Sequence, residues 1–267
     1  MRAIEILEHF LSRAPWVDRT KTVDRIIIGN PDKAVRRVMV TWMPSLDAVE
    51  KAAAGGYDLL MCHEPVFYDH WDYKERPEQI ASTEIGARKK ALIEEAGLVI
   101  LRNHDVWDRM PDVGIPYASA DFLGFGRKPV QLGGRDYMHR YDIKPVTLGD
   151  LARRVSARTA TIGEPFVQVV GDDSVMVSKI GIGTGCATDP AVFRSMGCDL
   201  SIVSDDGTSY WREIQQAADE GHPVIRVHHG TSEEPGMATL ARYVNENLAG
   251  LRADHLPHRP VFHTVRA

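Results

Sequence analysis

The sequence predicts an α/β protein with largely parallel strand pairing, and three observations carry that expectation. Short apolar runs alternate with longer segments of helical period along the chain. Several runs stop at polar or Gly-rich exits, as a buried strand does when it leaves a sheet. The order of elements in the first half then recurs in the second.

The elements follow in order. Residues 2–13 place Ile4, Ile6, Leu7, Phe10 and Leu11 at helical spacing, and Pro15 ends that helix. RRVMVTWM (36–43) reads as a strand. Ser45 caps the helix SLDAVEKAAA, which Gly55 and Gly56 stop. YDLLMC (57–62) is a buried strand, ended at His63-Glu64-Pro65 because Pro65 has no N–H for a ladder. One long charged helix is expected from about Glu78 to Ala96, closed by Gly97. LVIL (98–101) is a strand that exits into NHDVWD (103–108). IPYASADFLGF (115–125) is a short helix with Pro116 in its first turn.

Residues 126–145 are looser and rich in Gly, Arg and Lys, and the lobe boundary is expected there: 1–125 for the first lobe, 126–267 for the second. Thr147 caps LGDLARRVSART, and PFVQVVG is a strand. SKIGIGTG is a strand with a Gly-rich exit, and DPAVFRSMG is a helix with Asp189 as cap. CDLSIVSDD and PVIRV are strands on either side of the helix SYWREIQQAADEG, and EEPGMATLARYVNENL is the last helix.

Composition excludes several classes of function. With 267 residues, 43% of them hydrophobic, the chain can bury a sizeable core. A net charge of −5 gives no electrostatic case for nucleic acid or an anionic membrane. The three cysteines, Cys62, Cys186 and Cys198, are far apart, which fits a reducing, cytoplasmic setting and not a disulfide framework. Charges interrupt every apolar run of MRAIEILEHFLSR, so it reads as neither signal peptide nor membrane span.

The halves match in more than element order. GYDLLMCHE (56–64) overlays GCDLSIVSD (197–205), and VILRNHDVWD (99–108) overlays VIRVHHGTSE (224–233). The second overlay sets His104 on His229 and Asp108 on Glu233. Resemblance between any two apolar strands explains the strands but not a His-x-x-x-acid at both exits. A duplication would place the two segments around a pseudo-two-fold, facing one crevice.

Three strand exits therefore carry metal-capable side chains: His63/Glu64, His104/Asp108 and His229/Glu233. Open α/β sheets place ligands at such carboxyl ends. Imidazole and carboxylate suit zinc, iron and manganese. The bland alternative makes Glu233 a first-turn acid behind a Thr231 or Ser232 cap, and His63 a partly buried side chain beside a solvated Glu64.

DLLMCHEP (58–65), HDVWD (104–108) and HHGTSE (228–233), in that order, resemble the motifs of the Nif-three-like family of dinuclear-metal-centre proteins. Many of its members carry the name of type-two GTP cyclohydrolase I homologs. IGTGCATDPAVFRSMGCDLSIVSDD is similar to the Gly-rich strand–helix–strand before the family's last motif. The resemblance implies a two-lobed α/β protomer of mixed or parallel sheets, with the metals in the cleft between lobes and both lobes contributing. It implies two divalent ions (zinc, iron or manganese) on His63, Glu64, Asp108, His229 and Glu233, with His104 nearby and Asp108 and Glu233 bridging. It also implies a ring-shaped homohexamer, with the N-terminal helix or the Trp211 helix in contact. Glu64 stands where the family has a second adjacent histidine, which lowers the site's charge and favours harder cations such as manganese. His228-His229 replaces the more usual Gly-His, and Ser232 the usual Thr.

The remaining histidines, His70, His139, His222, His255, His258 and His263, read as ordinary polar or surface groups. Trp42, Trp71, Trp107 and Trp211 read as wall or core, and Cys62 as core-facing. Two functions stay open. One is a metal-dependent hydrolase or cyclohydrolase acting on a nucleotide-like or phosphate-containing small molecule, with His104 or Glu64 as proton shuttle. The other is a non-catalytic metal chaperone or regulatory scaffold. A metal-free structural protein is the third and plainest option.

Overall fold

The computed structural model describes residues 1–265. The first elements are α1 (Ala3–Leu11), β1 (Arg25–Ile28), β2 (Arg37–Thr41), α2 (Leu46–Ala54), β3 (Leu59–Cys62), α3 (Glu84–Glu95) and β4 (Val99–Arg102). Ser45 caps α2 as expected, its hydroxyl accepting from the Ala48 N–H. The single helix expected from Glu78 is two pieces. Pro77–Ser82 is a 3-10 segment, and the chain then extends at Thr83, whose hydroxyl accepts from the Gly86 N–H to start α3. A threonine with a free hydroxyl offers the backbone an alternative to continued helix, and here it takes it.

Next come α4 (Ile115–Leu123), β5 (Gln131–Gly133), β6 (Met138–Thr147), α5 (Leu148–Ala160), β7 (Gln168–Val170), β8 (Met176–Ile182), α6 (Pro190–Ser195), β9 (Leu200–Ser204), α7 (Gln215–Asp219) and β10 (Val224–Val227). The stretch 126–145, expected to be loose, holds β5 and most of β6. The helix expected from Ser209 opens as a wide π turn over Tyr210–Ile214 before α7. The chain ends in α8 (His229–Asn247) and β11 (Arg252–His255).

Two compact units share the chain. One comprises Met1–Met110 with Met237–Pro257, the other Pro111–Gly236 with the residues from His258 on. The division thus falls before α4 and not at residue 126, and neither unit is one continuous segment. Packing explains both differences. Ala120 and Leu123 of α4 join Leu151 and Val155 of α5 in the second unit's core. β11 pairs in parallel with β2, which returns the C-terminal segment to the first sheet.

The first sheet has the order β1-β4-β3-β2-β11, with β1 the antiparallel edge and the other strands parallel. The second has the order β5-β6-β8-β9-β10-β7, with β8, β9 and β10 parallel and β7 antiparallel to β10. Each is mixed, as expected. The succession α1-β1-β2-α2-β3-α3-β4 is repeated as α5-β7-β8-α6-β9-α7-β10, with identical pairings in the shared part of each sheet. The repeat seen in the overlays therefore spans seven elements. Its central strands are buried throughout, β3 and β4 in one sheet and β9 in the other, which is why β3 and the first three residues of β4 read as apolar runs.

Trp42 and Trp107 lie in the core as expected, but Trp71 and Trp211 are exposed, Trp211 by 74%. His139 and His222 are buried, not at the surface. Burial pushes each of these two rings down to about 4, so both are neutral. Cys62 faces the core, and burial raises its thiol far above the ordinary range. Among the described residues no helix is long and apolar enough to cross a membrane.

Candidate metal centre

In the first unit, β3 and β4 are parallel neighbours and both exits carry site residues. The chain bends immediately after β3: the N–H groups of His63 and Glu64 both donate to the Trp42 carbonyl. That bend lets two adjacent side chains leave the strand without alternating faces. After β4, the Asp108 N–H donates to the His104 carbonyl at 2.9 Å, closing one helical turn that brings the acid under the imidazole.

His63 is fully buried, and its Nδ1 lies 3.3 Å from the Asn103 carbonyl oxygen. A carbonyl only accepts, so Nδ1 carries the proton and Nε2 carries the lone pair. That Nε2 is 3.4 Å from Asp108 Oδ1. The His104 ring stacks on His63 at 4.3 Å between centroids. His104 Nδ1 lies 2.9 Å from Asp105 Oδ1 and 3.3 Å from Asp108 Oδ2. His63, His104 and Asp108 each offer a ligand atom within 4.8 Å of the others, and Glu64 offers an oxygen within 4.8 Å of His63. Two imidazoles and a carboxylate, buried or half-buried, fit a first-row divalent ion.

Electrostatics marks the same place. Burial works against a charged His104 ring, but Asp108 and the hydrogen bond to Asp105 outweigh it and raise the imidazole to about 9. Burial also works against the Asp105 carboxylate, and the hydrogen bonds from His104 and Thr22 reverse it, holding Asp105 at about 2. Asp24 stands behind both. It accepts from the N–H groups of His104 and Val106 and shares the single Thr22 hydroxyl proton with Asp105, and burial lifts it to about 6. Asp24, Thr22 and Asp105 drew no attention in the sequence, because Asp24 is 80 positions from the turn it supports.

In the second unit, α8 begins at His229, four residues ahead of the expected start at Glu233. Its opening N–H groups meet carboxylates from elsewhere in the chain. Glu164 accepts from His228, and Asp205 accepts from His229 at 2.7 Å. These are N-caps by function but not by local sequence. Ser232 is inside the helix, its hydroxyl donating to the His229 carbonyl, so the reading of Ser232 or Thr231 as the cap does not hold.

His229 and Glu233 consequently share a helix face, with Nε2 3.0 Å from Glu233 Oε2. His229 Nδ1 lies 3.0 Å from Asp206 Oδ2. Gly185, at φ +57°, approaches so closely that a Cβ there would collide with Glu233 Oε1 and lie 3.1 Å from His229 Nε2. The Gly-rich exit of β8 is thus shaped to leave room for these two side chains. Asp206 and Gly185 were also missed from the sequence.

Comparison with solved structures finds the same fold. A Staphylococcus aureus hypothetical protein, SA1388, superposes with a TM-score of 0.79 at 15% identity, covering 99% of each chain. Reduced HcgD from Methanocaldococcus jannaschii gives 0.72 at 20% identity over 97% of this chain and 98% of its own. TTHA1606 from Thermus thermophilus gives 0.73 at 19% identity, again over 97% and 98%. No curated protein matches the chain. The family model described as Duf34/NIF3 (NGG1p interacting factor 3) matches residues 2–257, nearly the whole sequence, and the chain belongs to that family.

Proposed function

We propose that this protein binds two divalent metal ions and is a hydrolase or cyclohydrolase acting on a nucleotide-like or phosphate-containing small molecule. The observation that carries the reading is the convergence of His63, His104 and Asp108 at the carboxyl ends of β3 and β4. Family membership and the repeat support His229 and Glu233 as further residues that would hold metal. When bound, the metals supply Lewis acidity toward a substrate oxygen and make a water acidic enough to attack near neutral pH.

This chain's own groups then have distinct tasks. His63 presents Nε2 because Asn103 holds its other nitrogen. His104, between two carboxylates, can hold a proton or release it to a leaving group. The protein assembles as a homo-oligomer, a hexamer by family resemblance.

Elemental analysis of protein purified without chelator, followed by reloading with manganese, zinc or iron, tests the metals. Two ions per chain are expected, and a value near zero after reloading refutes the proposal. Metal-loaded protein is then assayed against a panel of nucleotides and phosphoesters. Turnover lost in Asp108→Ala supports the enzyme. Tight, exchangeable metal with no turnover on the panel would assign the site to metal transfer or scaffolding.

A further inference from the structure

Arg102, the last residue of β4, is fully buried directly behind the exit of β3. Its fork is spent on the chain that carries the site. Nε donates to the His63 carbonyl at 2.8 Å, and Nη1 donates to the His70 carbonyl. Nη2 makes no hydrogen bond among the described residues and lies 3.9 Å from Glu64 Oε2. A guanidinium with no access to water needs an anion close by.

Two carboxylates are within reach. Asp72 Oδ2 is 3.9 Å from Arg102 Nη1, and Glu64 is beside Nη2. Asp72 also feels Arg25, whose Nη2 donates to the Trp71 carbonyl at 2.6 Å. Lys89, fully buried, also acts on Asp72, so three cations, Arg25, Lys89 and Arg102, stand against two anions, Asp72 and Glu64. Arg102 lies equally far from both carboxylates, and Arg25 and Lys89 add their charge at Asp72, so Arg102 serves Glu64 as well as Asp72.

The segment between them is held in an unfavourable shape. Tyr68, Asp72 and Tyr73 sit at φ 61°, 47° and 51°, left-handed values that non-glycine residues adopt only when their surroundings impose them. The imposing contacts are Arg102 on the His63 and His70 carbonyls, Asp72 Oδ1 accepting from Phe67, and Lys89 Nζ donating to the Val66 carbonyl at 2.7 Å.

We propose that Arg102 is a positioning and charge-setting residue for the metal centre: it orients Glu64 and cancels its charge. Glu64 with Arg102 behind it then presents the charge of a neutral histidine, not one unit less. The preference for harder cations that a lone carboxylate would confer is correspondingly removed. This rests on the proposed metal-binding reading, and it changes what Glu64→His should do. That variant leaves the buried Arg102 cation without one of its two anions, next to the metals.

The test titrates manganese and zinc separately, by calorimetry, into metal-free parent, Glu64→His, Arg102→Gln and the double variant. Glu64→His is expected to weaken both ions at least tenfold, with the manganese-to-zinc ratio held within threefold. Adding Arg102→Gln should recover zinc at least tenfold over Glu64→His alone. A purely structural role for Arg102 would not produce that recovery. Tighter zinc and weaker manganese in Glu64→His would overturn the inference, since Glu64 would then act as an uncompensated charge. If the two chains carrying Arg102→Gln do not fold, the Glu64→His titration decides alone. If the parent binds neither ion, the functional proposal fails separately, and urea denaturation of Glu64→Gln, Arg102→Lys and their combination in chelator decides the pairing. Non-additive effects support it, and additive effects refute it.

Discussion

Replacing Asp24 by alanine tests the support of the His104 turn without any metal present. The substitution removes the acceptor for the buried Val106 N–H and for the His104 N–H, while the Thr22 hydroxyl keeps Asp105. Each orphaned buried donor costs about 1–3 kcal/mol, so two backbone groups give about 2–6 kcal/mol. The carboxylate itself works the other way. Its folded value is raised to about 6 from 3.8, so the stability tied to its proton is full below pH 4 and is lost as pH rises through 6. Between pH 5 and pH 8 that loss is one unit, or about 1.4 kcal/mol, carried by the parent and absent from Asp24→Ala. The variant should therefore be less stable than the parent at pH 5 by the full donor cost, and by about 1.4 kcal/mol less at pH 8. Urea denaturation in chelator at the two pH values measures both. A deficit that grows from pH 5 to pH 8, or one under 0.5 kcal/mol throughout (about the range of an ordinary surface substitution), would refute the reasoning.

The remaining predictions concern the site and the assembly. Gly185→Ala should displace Glu233 and destabilise the protein by about 1–3 kcal/mol, visible as a lower Tm and as lost metal by elemental analysis. Asp105→Ala and Asp206→Ala should each weaken metal about 10- to 100-fold in calorimetric titration while leaving the ligands in place. A cation held beside His104 disfavours the imidazolium that its carboxylates raise to about 9, so loading should release protons and affinity should climb as pH rises from 6.5 toward 9. Calorimetry in buffers of different ionisation enthalpy reads the proton release directly. Trp211→Glu, at a 74% exposed position, should shift the assembly toward smaller species in light scattering; a parent that is monomeric at all concentrations would remove the hexamer.

What the sequence disclosed and what it hid divide along a physical line. Strand interiors, the Ser45, Thr147 and Asp189 caps, and the repeat are written in neighbouring residues, and all are present in the structure. The break at Thr83 and the early start of α8 were illegible for opposite reasons. Thr83 acts locally, but its segment is charged and gives periodicity no apolar face to interrupt. The cap of α8 comes from Glu164 and Asp205, 64 and 24 positions upstream of the N–H groups they hold. The misread tryptophans show the limit of composition: Trp71 and Trp107 differ only in whether the chain around them packs against a core. For the site, His63, His104 and Asp108 were legible because strand exits and i, i+4 spacing are local signals. Arg102 was not, since an arginine ending an apolar run gives no sign that it will be buried.

The repeat explains why the missed acids matter. His104 and His229 occupy equivalent positions after β4 and β10, yet one rides a single turn and the other the first residue of a long helix. The local backbone differs, and so does the acid four residues on, which lies at Nε2 of His229 but at Nδ1 of His104; the carboxylate at Nδ1 is what the two share. Each histidine has an acid four residues on, and each has a second carboxylate at Nδ1, Asp105 at 2.9 Å and Asp206 at 3.0 Å. A carboxylate at Nδ1 keeps a proton there, which fixes the tautomer and leaves Nε2 as the basic nitrogen. The two acids reach that position by unrelated routes: Asp105 is adjacent in sequence to its histidine, and Asp206 follows a different strand, β9. Two structurally independent solutions to one requirement argue that the requirement is chemical. A solvated surface histidine needs no particular tautomer. A histidine that donates Nε2 to a cation does.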